Sequence, residues 1–266
     1  YRTSFLSGGP PVFRKSGFAQ GFEFFDDNFD LSFGHFYRPA PEIVSTFIEW
    51  LSREVGNSSF FSMLFLADLQ FPEAPTFTVE GELREKTVES QLLEIGESLQ
   101  NLVEGLKARR RWDSTNVVLL GTSGGMAPND LKSDNTQVTL FIKPARPARD
   151  APVHWTIDRN VSLVDVGLTL FTILGEPIES RDNQVLEKVS LQSVLNSPEP
   201  DWRDDRLIYS ETGWTRWRLG GDIRYALRQK QFLFIRDLKS QIFNSLSDHM
   251  ENTPLVDKDP TWTSIN

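Results

Sequence analysis

The 266-residue sequence predicts an α/β fold: a three-layer sandwich around a mostly parallel central sheet, with a small antiparallel subdomain at the carboxyl end. Three observations predict it. Two short runs, Phe60 to Ala67 and Val117 to Leu120, are apolar at nearly every position, as strands covered on both faces are. Around them, strand-like segments alternate with segments of helical period, the order of βαβ units. Composition then changes at Asn196-Ser197-Pro198-Glu199-Pro200, beyond which short strand-like runs are joined by turns. Residues 1–196 are expected to form the α/β core and residues 197–266 the antiparallel subdomain.

Taken in order, residues 2–6 read as a strand, closed by the turn Ser7-Gly8-Gly9-Pro10-Pro11. Asp26, Asn28 and Asp30 have the alternate spacing of a calcium loop. However, Leu31 stands where that loop needs glycine and Tyr37 where it needs a bidentate glutamate, so no calcium site is expected. Pro39 and Pro41 introduce a helix over about 42–54, with Ile43, Phe47, Trp50 and Leu51 on its core face. After the strand at 60–67 and a proline-rich connection, a long helix is expected over 82–110. Its stripe is Val88, Leu92, Ile95, Leu99, Leu102 and Leu106, interrupted by Gly96 and Gly105, and the expected packing is across a sheet.

The strand at 117–120 delivers a small-residue loop, Gly121-Thr122-Ser123-Gly124-Gly125, at its carboxyl end, where an open α/β sheet places its chemistry. Both apolar strands are expected inside the sheet, with their loops adjacent. A further strand follows at 138–142. Ser162-Leu163-Val164-Asp165 is a capping-box pattern opening a helix that Gly175 and Pro177 stop. Strands are expected at 206–210, 222–228, 231–236 and 240–243.

The formal net charge of −9 disfavours nucleic acid and anionic membrane surfaces as partners. The basic run Arg109-Arg110-Arg111 falls at a helix carboxyl end, where cations suit the dipole. There is no cysteine, which removes thiolate zinc sites, disulfides and a cysteine nucleophile while leaving the compartment open. No stretch is long and apolar enough to span a membrane. The chain starts at Tyr1 without a signal peptide, and the expectation is that sequence upstream was removed.

Catalytic signals are sparse. No nucleophile elbow, zinc-protease motif or phosphate-loop glycine pattern occurs. The glycine loop carries no carboxylate or imidazole and reads as a structural turn, with an anion cradle as the lesser alternative. His154, beside Trp155, has no second ligand at metal spacing and reads as structural. Trp214, Arg216, Trp217 and Arg218 offer aromatic and cationic groups suited to a sugar or an anion, but strand packing is the expected role.

Six strings in order resemble the sulfatase branch of the alkaline phosphatase superfamily. Gly21-Phe22-Glu23-Phe24-Phe25-Asp26-Asp27 is similar to its GFDxFDD segment, Phe60 to Glu73 to FFLxLHxxxPHxPY, and Val117 to Gly125 to VVxxTSDHG. Val138 to Pro144 resembles VPLIIKxP, Ser162 to Leu170 resembles VSLVDIxPTL, and Tyr209-Ser210-Glu211 opens a stretch like its C-terminal subdomain. The resemblance implies a metal-dependent ester hydrolase in an extracytoplasmic compartment, but the positions that carry that chemistry depart from it. Ser123 and Gly124 stand where the family has its metal-binding Asp and the partner His or Asn, and Phe65 and Gln70 where it has two histidines. Lys132 matches its sulfate-binding lysine only with shortened spacing. The family's C-x-P-x-R nucleophile motif would lie upstream of Tyr1.

These departures imply a degenerate sulfatase-like protein without cofactor, whose remnant pocket is Phe65, Gln70, Ser123, Gly124 and Lys132. Its expected role is a binding or structural subunit with a protein partner or membrane-associated complex. The alternative is a sulfate- or phosphate-ester hydrolase whose nucleophile and first ligands for a divalent metal lie upstream.

Overall fold

The computed structural model describes residues 1–29, 37–70, 76–77, 83–84, 87–122, 124–125, 127, 130–145, 156–157, 160–175, 190–196, 206–237 and 240–255. They fall into two compact units, Tyr1–Ser114 and Thr115–Asn266. Ser123, Asp30, His154 with Trp155, and the expected domain boundary at 196/197 onward to residue 205 lie outside or at the margin of the described residues.

In the first unit, strand β1 (Arg2–Ser7) is the centre of a parallel three-stranded sheet, flanked by β2 (Phe24–Asp26) and β3 (Phe60–Phe65). Alternation sends Leu6, Phe24, Phe60 and Leu64 to one face and Phe5, Phe25 and Phe65 to the other, each face having its own apolar cluster. Helix α1 (Ala40–Trp50) covers the first face with Ile43, Phe47 and Trp50. It starts at Ala40 because Pro39 and Pro41 sit where a missing N–H costs nothing. The buried Asp68 carboxylate caps it, accepting from the Ala40 N–H at 3.0 Å. A π-helical turn, Leu51–Val55, extends α1 and ends at Gly56, whose φ of 54° is a glycine conformation.

A two-stranded antiparallel ladder, β4 (Thr76–Phe77) with β5 (Leu83–Arg84), precedes helix α2 (Val88–Ala108). The helix begins later than the expected residue 82 because Thr87 and Ser90 form a reciprocal capping box. Its expected stripe is corrected as well. The correction concerns its amino-terminal half, where Val88 and Leu92 are exposed and Gln91 and Ser98 are the buried positions; at the other end Leu102 and Leu106 of the stripe pack in the core cluster as expected. Small residues bring α2 close to α1: a Cβ on Gly105 would lie 2.3 Å from Ile48 Cδ1.

The expectation that strands 60–67 and 117–121 lie inside one sheet is likewise corrected. Among the described residues β3 is an outer strand of its three-stranded sheet, and Met63 is 45% exposed. Strand β6 (Val117–Leu120) belongs to the second unit, where it pairs antiparallel with β7 (Leu140–Lys143). An apolar run therefore does not by itself fix a strand's place in a sheet.

Between β6 and β7 lie the glycine loop and the short helix α3 (Ser133–Thr136). Helix α4 (Leu163–Leu174) has both predicted ends: the Ser162/Asp165 capping box, and Gly175 in the left-handed conformation at φ 74°. Helix α5 (Gln192–Asn196) is tied to α4 through the Leu191 N–H and Thr169 Oγ1 at 2.7 Å. Then comes β8 (Ile208–Thr212), helix α6 (Trp214–Leu219), β9 (Arg224–Gln229), β10 (Phe232–Arg236) and β11 (Gln241–Asn244).

The four strands form the expected antiparallel sheet, in the order β11-β10-β9-β8, over a small core of Leu131, Ala226, Leu233, Ile235 and Phe243. Helix α6 corrects the strand reading of Trp214 to Arg218. It runs from Gly213 to the left-handed Gly220 and leaves Trp217 85% exposed. Among the described residues no helix is long and apolar enough to cross a membrane.

Candidate functional site

The glycine loop is folded onto α3. The Gly121 N–H donates to the Thr139 carbonyl at 2.8 Å, the Gly124 N–H to the Asn135 carbonyl at 3.1 Å, and the Ala127 N–H to Asn135 Oδ1 at 3.1 Å. These donors are spent on the loop's own closure, as in a structural turn. The approach is so close that a Cβ on Gly124 would stand 2.3 Å from the Gln137 carbonyl oxygen and 2.7 Å from that of Asp134. A Cβ on Gly125 would stand 2.4 Å from Asn135 Oδ1. Backbone oxygens cannot yield as a side-chain tip can, so glycine at 124 is a steric requirement of the loop.

Lys132 lies on the other arm of this cradle. It is the N-cap residue of α3, where its carbonyl accepts from Thr136 Oγ1 at 3.0 Å. Its ammonium is 5.5 Å from the centre of the Phe243 ring, a cation–π contact that turns the charge toward the antiparallel sheet. Gly124 and Lys132 therefore share a loop system in the second unit. Phe65 and Gln70 belong to the first unit. Phe65 ends β3 and packs on the cluster of Phe5, Val12 and Phe25, so its ring serves the core. Gln70 is exposed and ends a 3-10 turn through its N–H to the Ala67 carbonyl at 3.0 Å.

Polar groups at the carboxyl edge of the first sheet are also engaged in structure. Arg38 pairs with Asp26 at 2.7 Å and donates to Thr46 Oγ1. Its own N–H binds the Gly8 carbonyl at 2.6 Å. A Cβ on Gly8 would meet the Phe65 carbonyl at 2.5 Å, so β1 and β3 close over that turn. Ser7 Oγ donates to the Val12 carbonyl at 2.6 Å. Among the described residues no three His, Cys, Asp or Glu side chains are grouped as a metal site.

Two charge networks in the second unit escaped the sequence reading. Asp165 and Arg206 form a fully buried bidentate pair at 2.8 and 3.0 Å, and the same carboxylate accepts from the Ser162 N–H at 2.9 Å. Glu251, also fully buried, accepts from the Ser133 N–H at 2.8 Å, Ser133 Oγ at 2.9 Å, Ser245 Oγ at 2.7 Å and Arg228 at 2.9 Å. Burial pushes its carboxyl pKa up, but the bonds from Arg228, Ser133 and Ser245 outweigh this and hold it below the usual value. The Ser162…Asp165 pattern signalled only a cap, and nothing local in sequence points to an arginine 41 residues on. Elsewhere in the unit, burial and then the hydrogen bond to Glu211 raise the Tyr209 phenol to about 12.

No family model and no curated protein matches the sequence. Solved structures do match. The phosphonate monoester hydrolase of Agrobacterium radiobacter superposes with a TM-score of 0.60 at 15% identity, over 83% of this chain and 57% of that one. A Bacteroides fragilis protein assigned as a sulfatase gives 0.63 at 10% identity, over 86% and 57%. An alkaline phosphatase superfamily protein from Vibrio parahaemolyticus gives 0.59 at 16% identity, over 96% and 60%. At such identities the likeness is one of fold. The chain spans little more than half the length of the first of these neighbours.

Proposed function

Taking the sulfatase-like fold of the alkaline phosphatase superfamily as the premise, we propose that this protein is a catalytically inactive sulfatase-like protein. It works as a binding or structural subunit of an extracytoplasmic assembly, with a protein or a membrane-associated complex as partner, and it holds no divalent metal. The observation that carries the reading is Gly124. At the position aligned with the fold family's imidazole or amide ligand, the surrounding carbonyls leave no room for any Cβ. A site that had merely lost its ligand by substitution would keep the space, whereas this loop has closed over it. Phe65, engaged in the core, and exposed Gln70 support the same reading, because neither aligns a metal-binding group with the histidines of the family.

The test is to restore the lost pair, Ser123→Asp with Gly124→His, and to assay sulfate and phosphate esters with calcium, magnesium, manganese or zinc. The expected outcome is no turnover above the parent protein, because catalysis at such sites needs metal, nucleophile and positioned donors together. Gly124→Ala alone should cost about 1–3 kcal/mol in urea unfolding, as overpacking does. Turnover by the double variant, or stoichiometric divalent metal in the purified full-length protein, would overturn the proposal in favour of an ester hydrolase.

A further inference from the structure

Two helices carry exposed apolar side chains flanked by charges of opposite sign. Helix α6 reads Trp214-Thr215-Arg216-Trp217-Arg218-Leu219, with no acid among its six residues. Trp217 is 85% exposed and Leu219 71%, and Trp214 lies one turn before Trp217 on the same side. The Trp217 indole lies over Gly213, where an added Cβ would stand 3.2 Å from its Nε1. Neither Arg216 nor Arg218 forms an ion pair among the described residues. The nearest acids in sequence are Glu211, which accepts from the Tyr209 hydroxyl, and Asp222, beyond the Gly220-Gly221 turn. The amino-terminal half of α2 has the reverse charge. Leu93 is 70% exposed and is bracketed four residues away on either side by Glu89 and Glu97, neither of them in an ion pair among the described residues. Val88 and Leu92 continue the apolar surface on the adjoining ridge. Gly96 cuts a notch in it: an added Cβ there would meet nothing within 4 Å, and its neighbours three and four residues away are Leu92, Leu93, Leu99 and Gln100. A bulky side chain can reach the helix backbone between these leucines, as a knob enters a hole.

We propose that α6 of one molecule docks on the amino-terminal half of α2 of a second copy, with Trp217 in the Gly96 notch and Arg216 and Arg218 against Glu89 and Glu97. A protruding indole needs a hollow supplied by its partner, and Trp and Arg are the residues that dominate such contacts. Charge selects this pairing over the symmetric ones. Two α2 faces would set Glu89 and Glu97 against their own copies, and two α6 faces would set arginine against arginine. Each molecule carries one knob and one notch, so the contact is heterologous and repeats head to tail into rings or chains. One six-residue helix covers less than the about 1,000 Å² of a permanent interface, so the assembly depends on concentration. This self-association goes beyond the loss of catalysis, since an active hydrolase could assemble in the same way.

Sedimentation equilibrium of the full chain tests it. The weight-average mass of the parent is expected to rise with concentration through the high-micromolar range, and to fall back in added salt as the charges are screened. Trp217→Ala should weaken the association by about tenfold or more, as loss of a buried aromatic anchor does. Gly96→Gln should weaken it to a similar degree by filling the notch. Glutamine is a better helix former than glycine and the position has room, so this variant should lose no stability in urea, which separates loss of docking from loss of fold. Mixed in equal amounts, the two variants should form a heterodimer and nothing larger, because one keeps only the notch and the other only the knob. A parent that stays monomeric throughout, a Gly96→Gln variant that associates like the parent, or a mixture no heavier than its parts would overturn the proposal.

Discussion

The two units of this chain are held together by different forces. In the first, aromatic rings carry the core: Trp50 lies 6.2 Å from Phe24 and 6.1 Å from Phe47, and Phe5 lies 5.3 and 5.2 Å from Phe22 and Phe25. Such contacts bury apolar area with little dependence on pH or salt. In the second, the apolar cluster around Leu233 and Phe243 is small, and two fully buried carboxylates, Asp165 and Glu251, tie helix and loop to the sheet region through arginines. A buried ion pair adds little net stability once desolvation is counted, but it punishes any arrangement that separates the partners. The second unit should therefore be the more sensitive to loss of a single charged partner, while the first, which also holds the Arg38–Asp26 pair, depends more on how its rings and helices pack.

The largest effect should come from breaking one buried pair. Arg206→Met leaves the Asp165 carboxylate buried with its Ser162 bond but without its bidentate partner, and should cost about 3–5 kcal/mol in urea unfolding. Asp165→Leu combined with Arg206→Met should recover much of that loss, because no charge is then stranded. A single variant as stable as the parent would remove the distinction between the units.

A smaller effect should follow from pH. The Glu251 pKa is lowered in the folded state, so its contribution is fully present above the ordinary value of 4.5 and is lost as pH falls through the lower folded value. Glu251→Gln should cost about 1.5–3 kcal/mol at neutral pH, the worth of hydrogen bonds to a charged group. Thermal unfolding followed from pH 7 downward should show parent and variant converging below about pH 4.5. A gap that stays constant across that range would mean that Glu251 acts by shape alone.

What could be read from the sequence follows the range of the interaction. Ser162, Asp165 and Gly175 mark the ends of α4 because capping is decided within four residues. The four strands of the antiparallel sheet were legible because turns punctuate them. The direction of β7 against β6 was not, since the 19 residues between them can return either way. Six residues from Trp214 to Leu219 are too few for a period of 2 or 3.6 to declare itself, and glycines on either side set the outcome. That Phe65 and Gly124 carry no metal-binding side chain was legible in the sequence. That Gly124 is walled in by the carbonyls of Asp134 and Gln137 was not, because those atoms are brought back by the fold.

The smallest predicted effect tests whether the first unit owes its stability to aromatic burial rather than to the backbone of its longest helix. The amino-terminal half of α2 exposes Val88, Leu92 and Leu93, so local propensity governs it more than packing does. Gly96 lies in this stretch with nothing within 4 Å of an added Cβ, whereas Gly105 is pressed on Ile48. Alanine at 96 adds no contact and removes freedom from the unfolded chain, so Gly96→Ala should stabilise by about 0.4–1 kcal/mol. Gly105→Ala should destabilise, because Ile48 must leave its position against α2 and the core cluster with it. Opposite signs for one substitution on one helix, read as shifts in the urea midpoint at unchanged slope, would place the stability of α2 in its contact with α1. Should both variants gain stability, that contact is loose, and the account of the first unit as a tightly packed aromatic core loses its outer layer.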